Sequence, residues 1–451
     1  MNIFKTPDEY IVSDKELINL IIPVFIGFIL EFITVFIDSI MVSSIGESAF
    51  SGVALIDQFT YFLILFFSAF SAGGGIVLGQ YLGHNEIKKA QNICTQLIWF
   101  TTILATVLMI ILLILRPFII WGLFGQIEAD VWDNANKYYR IVILMLPFLA
   151  IYTIGTGIFR ITNRASLPIK IIFVSNLLNI IGNAYFLYYL HWSVIGAAIS
   201  TVVAEIFAAA LILYKLLDEK QELHIKKSLK YKFNYDYIKD VLKVGLPFGI
   251  ENGSFHLGKL LITSLISTFG TAAIAANSIG NTVGTFSVMG GLAINIALTL
   301  VISKCVGAND YEQVKYYTKK CSILVIITHT IINSIIFILL PLILSGYNVS
   351  PQTIELASKM VIWHGIFAII IWPLSFSLPS MLRGAGDTRA VMCISMSVMF
   401  IFRIGFAYII ANWLGFGVLG TWIAMFVDWY VRAALYVYRY LSKKWMEFRI
   451  T

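Results

Sequence analysis

The sequence predicts an all-α membrane protein of about twelve transmembrane helices, arranged as two pseudo-symmetric six-helix bundles. Three observations carry this. First, the 451 residues are 59% hydrophobic and 13% charged, with a mean hydropathy of +0.84, whereas a soluble domain carries about 25% charged residues. Second, apolar runs recur along the whole chain at close to the roughly 20 residues that cross a bilayer as helix. Backbone groups in lipid must pair internally, so only helices or closed barrels span; these runs are continuous, not alternating, and predict helices. Third, shifting the chain by 224 residues aligns its halves. Pro23 then meets Pro247, Ser43 meets Ser267, Gly46 meets Gly270, Ala49 meets Ala273, Gly83 meets Gly307 and Asn85 meets Asn309. Gly196 meets Gly420 at the same shift, and Arg160 meets Arg383 after a one-residue gap.

The spans read in order as 17–42, 54–80, 94–116, 138–160, 167–190, 194–217, 240–268, 277–303, 321–345, 357–382, 390–412 and 416–438. The first run, Leu17 to Val42, contains acids and no A-x-A cleavage site, which predicts a retained span and not a signal peptide. Gly73, Gly74 and Gly75 fall late in the second run, and Gly290 and Gly291 in the eighth; they read as close helix contacts or flexible points. Six spans separate the repeats, and an even number inserts both halves in the same sense, as in parallel-repeat transporters. The expected organisation is an N-terminal lobe (1–217), a basic linker (218–239) and a C-terminal lobe (240–451).

The net charge of +7 follows from topology. With both termini cytoplasmic, 26 of the 32 Lys and Arg fall on the cytoplasmic side, eight of them lysines between Lys215 and Lys243. Glu47, Glu128, Asp130, Asp133 and Glu355 lie opposite. This is the positive-inside pattern, and it explains the basic pI without a nucleic-acid partner. The expected location is the inner (plasma) membrane. Cys94, Cys305, Cys321 and Cys393 form no CxxC pair, so neither a disulfide framework nor a zinc site is expected. No GxxxxGK[ST] loop occurs, so the chain is not expected to use ATP itself. No clustered catalytic set points to an enzyme.

Charge in a bilayer costs at least roughly 2.5–3.5 kcal/mol per residue at a helix centre, so each such residue needs a reason. Asp38 follows the apolar run ITVFI; it either captures Na⁺ or a proton, or sits hydrated at the outer boundary. Asn179 and Asn183 are four apart and share a helix face. Their amide oxygens suit a hard cation; interhelical hydrogen bonding is the alternative use for them. Thr201 adds a hydroxyl, and the backbone near Ala197 a carbonyl. Glu31 lies near the face of Asp38, as part of its cavity or as a packing residue. In the seventh span Glu251, His256 and Lys259 form a polar cluster, with Lys259 neutralising Glu251 or Asp428, or favouring an anionic or zwitterionic substrate. Arg403 in the eleventh span poses the same question, with charge pairing favoured. Glu205 and Asp428 match within one residue across the repeat and read as structural, as do His329 and His364.

Four segments carry a family resemblance: FIDSIMVSSIG at 36–46, NLLNIIGNAYF at 176–186, VIGAAIST at 194–201 and LRGAGDTR at 382–389. With the twelve-span plan, they make the chain resemble the MATE family of multidrug and toxin extrusion transporters over nearly its whole length. The resemblance implies two six-helix bundles in a V and export of cationic or other amphiphilic small molecules in exchange for Na⁺ or H⁺. It also implies a first-lobe cation site at Asp38, Asn179, Asn183 and Thr201. Some members carry an aspartate where this chain has Asn183. Many NorM-like members carry second-lobe acids where this chain has Phe255 and, near the tenth span's middle, Trp372 and Pro373, so no second-lobe cation site carries over. No cofactor beyond the coupling ion is expected, and the expected state is a monomer in the bilayer. The alternative is a flippase for lipid-linked oligosaccharides, which Lys259 and Arg403 would suit and the twelve-span count disfavours.

Overall fold

The computed structural model describes residues 10–124, 128–225, 233–347 and 349–448, and among them every regular element is helical. Residues 226–232 of the expected linker, and Lys5, lie outside the described residues. The helices are α1 (Asp14–Ser43), α2 (Glu47–Gly83), α3 (Ile87–Ile114), α4 (Ala129–Ile161), α5 (Ser166–Tyr189) and α6 (Ser193–Leu216). The second series is α7 (Tyr235–Ser267), α8 (Thr271–Gly307), α9 (Tyr311–Ser345), α10 (Pro351–Ile370, continuing through Pro373–Ser377 to Gly384), α11 (Thr388–Trp413) and α12 (Gly417–Leu441). A short helix, Arg116–Phe124, follows α3.

Eleven of the twelve are long and apolar enough to cross a membrane among the described residues. The remaining one, α7, has 33 residues, but Glu251, Asn252, His256 and Lys259 interrupt its apolar run. Helix is what an apolar chain adopts in lipid, because each N–H and C=O is then paired within its own segment.

The repeat is written in the backbone. Helices α2 and α8 both have 37 residues, and their ends match at the 224-residue shift. Gly46 (φ 133°) and Gly270 (φ 90°) open them in a left-handed conformation that glycine adopts at no steric cost. Asn85 and Asn309 close them with φ 60° and 58°. Later, His191 and Ser193 have positive φ where the second half places Gly415 and Gly417. Asn163 (φ 58°) answers Gly386 (φ 95°) one residue short of that shift, which locates a one-residue insertion in the second half between Gly386 and Gly415.

The chain divides into two compact units, Ile22–Gly249 and Ile250–Thr451 with Met1–Ile21. The first is organised around α2, α4 and α6, whose buried residues include Ile56, Phe67, Tyr139, Leu146 and Ala198. Gly73 is required there: a Cβ on it would stand 2.7 Å from the Gly245 backbone. In the second unit, the described residues ahead of α1 and its first residue, Asp14, dock onto α9. Lys320 forms an ion pair with Asp14, the Tyr317 hydroxyl donates to the Val12 carbonyl, and the Ile11 N–H donates to Gln313 Oε1 at 2.9 Å. These residues therefore group with the half whose sequence they do not open.

Candidate ion site in the first unit

Five helices of the first unit bring polar side chains together. Asp38 comes from α1, Asp57 from α2, Tyr138 from α4, Asn179 and Asn183 from α5, and Thr201 from α6. Asn183 Nδ2 donates to Asp38 Oδ1 at 3.0 Å. The Asn179 amide has two settings. In one its Nδ2 faces Thr201 Oγ1 at 3.2 Å and its oxygen accepts from Asn183 at 3.4 Å. Turned over, its nitrogen donates to both Asp38 oxygens at 2.8 and 3.1 Å, and its oxygen accepts from the Thr201 hydroxyl and N–H at 3.2 and 3.3 Å. The second setting satisfies both ends of the Asn179 amide and is adopted, since amide orientation is assigned from the network. An ionised carboxylate only accepts, and it takes all of these donors.

Burial sharpens the arrangement. Asn179 and Asn183 are 6% and 2% exposed, while Asp38 is half-buried. Asn183 Oδ1 is buried and accepts no hydrogen bond, so an acceptor stands beside the carboxylate. Thr201 Oγ1 also lies 3.0 Å from the Ala197 carbonyl, so its single proton is shared between that carbonyl and the Asn179 oxygen. The Tyr138 hydroxyl, on a buried ring, donates to Asp57 Oδ1 at 3.0 Å, and Asp57 lies close enough for its charge to act on Asp38.

The other sequence candidates lie elsewhere. Glu31 sits within electrostatic reach of Arg160. In α7, Glu251 accepts from Arg383 Nη2 at 2.7 Å, while His256 stands edge-on to Phe255 and within electrostatic reach of Lys259. Lys259 pairs with neither acid considered for it, because Asp428 is held by Arg432 at 3.0 Å and approached by Arg403 at 3.8 Å. His329 and His364 are buried against the Ala368 carbonyl and the Ser287 hydroxyl. Among the described residues no group of His, Cys, Asp and Glu could hold a metal ion. Two members of the polar set were not singled out in the sequence, Asp57 and Tyr138. Asp57 carried the same signal as Asp38, an acid inside an apolar run.

Comparison with known proteins decides the family. The MatE family model matches residues 23–185 and again 247–409. The chain belongs to the MatE family. The two matches are the two repeats, at the 224-residue shift found in the sequence. A probable multidrug resistance protein NorM of Thermotoga maritima is 24% identical over 437 residues, covering 96% of this chain and 93% of that protein. Multidrug and toxin extrusion protein 1 of Danio rerio is 20% identical over 467 residues, covering 98% of this chain and 74% of that one. Among solved structures, a MOP superfamily transporter of Pyrococcus furiosus superposes with a TM-score of 0.87 at 19% identity, covering 96% of each chain. This MatE protein is thus a membrane-embedded, multi-pass member of a multidrug efflux transporter family, with the all-helical fold of MATE structures.

Proposed function

We propose that the protein is a secondary active exporter of amphiphilic small molecules, driven by Na⁺ or H⁺ entering at Asp38. The observation that carries this is the Asp38 carboxylate held by two buried amides of α5, with an unused acceptor, Asn183 Oδ1, beside it. Either ion changes what Asp38 asks of its neighbours. A proton turns one carboxyl oxygen into a donor, which then needs an acceptor in place of the Asn183 N–H. Sodium is coordinated by oxygen, and it too favours Oδ1 over Nδ2. Both therefore favour rotation of the Asn183 amide, which exchanges the present tie between α1 and α5 for one of different geometry. That is a local change able to bias alternating access of the two repeats. The hydroxyl of Thr201 and the Asn179 oxygen supply further hard ligands for Na⁺.

The protein is read as a monomer of the plasma membrane with both termini cytoplasmic, the orientation that the basic segments favour. Multidrug export is what the names of the Thermotoga maritima and Danio rerio relatives describe, and it is taken as the transport class here. Dye efflux from proteoliposomes under separately imposed Na⁺ and H⁺ gradients tests the reading. Efflux that follows neither gradient would exclude ion-coupled export.

A further inference from the structure

The repeat maps the polar set of the first unit onto definite positions of the second. At the 224-residue shift Asp38 answers Ile262, Asp57 answers Asn281 and Thr201 answers Met425. All three line one cavity of about 250 Å³ within the second unit. Both acids have been replaced by neutral residues, and the charges that line this cavity are Lys259 and Arg403. The same place in the duplicated fold thus has opposite polarity in the two halves.

The two cations are at most partly neutralised by their surroundings. Arg403 is 8% exposed and its Nε has no partner. Its Nη1 reaches Asp428 Oδ2 only at 3.8 Å. That carboxylate is already held by Arg432 Nη2 at 3.0 and 3.3 Å, so two guanidinium groups share one negative charge. Lys259 makes no ion pair among the described residues. Its Nζ and the Arg403 Cζ lie 5.8 and 5.3 Å from the centre of the same ring, Phe255. Arg403 is buried, where positive charge left partly uncompensated is costly, and Lys259 is exposed and without an ion pair beside it; two such cations suit an anion.

Local backbone geometry points Arg403 at this place. It sits in a π-helical turn, Met399–Gly405, whereas α5 is regular α-helix through Asn183 and turns π-helical only over Ala184–Tyr189. The one-residue insertion between Gly386 and Gly415 is accommodated in such a turn, and π-turns of this kind concentrate at functional sites. A third donor is set by Trp422, whose Nε1 donates to Asn277 Oδ1 at 3.1 Å and so turns the Asn277 amide nitrogen away from itself. Ile262 and Met425 add apolar wall. The volume is below the roughly 300–1,000 Å³ of pockets that enclose a drug-sized ligand, and it fits a head group.

We propose that this cavity binds the anionic head, carboxylate or phosphate, of an amphiphile, with Lys259 and Arg403 as its charge partners. This rests on the export reading and names a substrate class for it. The test is equilibrium binding, which needs no transport. Wild type and variants in phosphatidylcholine nanodiscs are titrated with a rhodamine bearing a free carboxylate and, separately, with its ethyl ester, by fluorescence polarisation. The acid is expected to bind at least about tenfold more tightly than the ester. Lys259→Gln, an exposed position that folding should tolerate, is expected to remove that preference, and Lys259→Arg to keep it. Asp38→Asn is expected to leave it unchanged, so a failure of ion coupling and a failure of this site give different results. Phosphatidylglycerol is then added to the nanodiscs. If it weakens acid binding to wild type and not to Lys259→Gln, the site takes a lipid phosphate; if it has no effect, the site takes the soluble carboxylate. Equal binding of acid and ester, or a preference that survives Lys259→Gln, would overturn the proposal.

Discussion

Asn183 Nδ2 lies 3.0 Å from Asp38 Oδ1 and ties α5 to α1 inside the first unit, while the other end of the same amide, Oδ1, is buried without a partner. If the amide oxygen turns to meet Na⁺, Asn183→Ala removes an ion ligand and spares the substrate. The expected outcome is a rise of about tenfold in the Na⁺ concentration for half-maximal efflux. Substrate affinity should change by less than about twofold, since no substrate hydrogen bond is lost. Measuring efflux against Na⁺ and against pH separately checks this. Dependence on pH alone, unaltered in the variant, would make Asp38 a proton carrier with incidental amides.

Tyr138 and Asp57 extend the set beyond the amides. Tyr138→Phe deletes the donor to Asp57 Oδ1 and should slow ion-driven efflux by about three- to tenfold, the scale of one hydrogen bond to a partly exposed carboxylate. Asp57→Asn keeps an acceptor for Tyr138 but removes the charge near Asp38, and should slow efflux further. Wild-type efflux in Asp57→Asn would assign Asp57 to packing alone.

The start of α1 is secured by an ion pair whose lysine, Lys320, has a side chain only 5% exposed, against 27% for Asp14. Asp14→Asn leaves a buried ammonium that still donates to the Tyr316 hydroxyl at 3.3 Å. It should cost about 1–3 kcal/mol, less than a fully buried pair because Asp14 is partly hydrated. Adding Lys320→Met should recover most of that loss. Thermal unfolding in detergent distinguishes the variants; an unchanged melting temperature in Asp14→Asn would show that the pair contributes nothing.

Orientation has its own test. Lys220 and Glu355 are both exposed and are expected on opposite faces. A cysteine at Glu355, introduced into a chain without accessible native cysteines, should react with an impermeant maleimide added to intact cells. A cysteine at Lys220 should react only after permeabilisation. The reverse pattern would invert the topology.

Much of this fold was legible because membrane insertion constrains sequence strongly. Span length, basic loops and the 224-residue repeat each leave a pattern that needs no tertiary knowledge. The grouping of Asp38 with Asn179, Asn183 and Thr201 was legible through the family resemblance and the i, i+4 spacing of the asparagines. Asp57 was overlooked although the cost of a charge in an apolar run applies to it as to Asp38. Tyr138 carried no signal, since a tyrosine in a span is ordinary until its partner is known. In the second half, nearness along α7 misled: Glu251 takes its partner from Arg383, 132 residues away. The Asp428–Arg432 pair could have been read from its i, i+4 spacing. The cavity around Arg403 could not, because it depends on a π-turn that shifts the register of α11 by one residue.

If one carboxylate couples ion entry to export, efflux by Asp38→Asn reports on it most directly. The change is nearly isosteric, so the variant should insert and purify like the wild type. In proteoliposomes with an imposed Na⁺ or H⁺ gradient, wild type should export dye in response to at least one of them. Asp38→Asn should respond to neither. Gradient-driven efflux by Asp38→Asn at the wild-type rate would contradict the account.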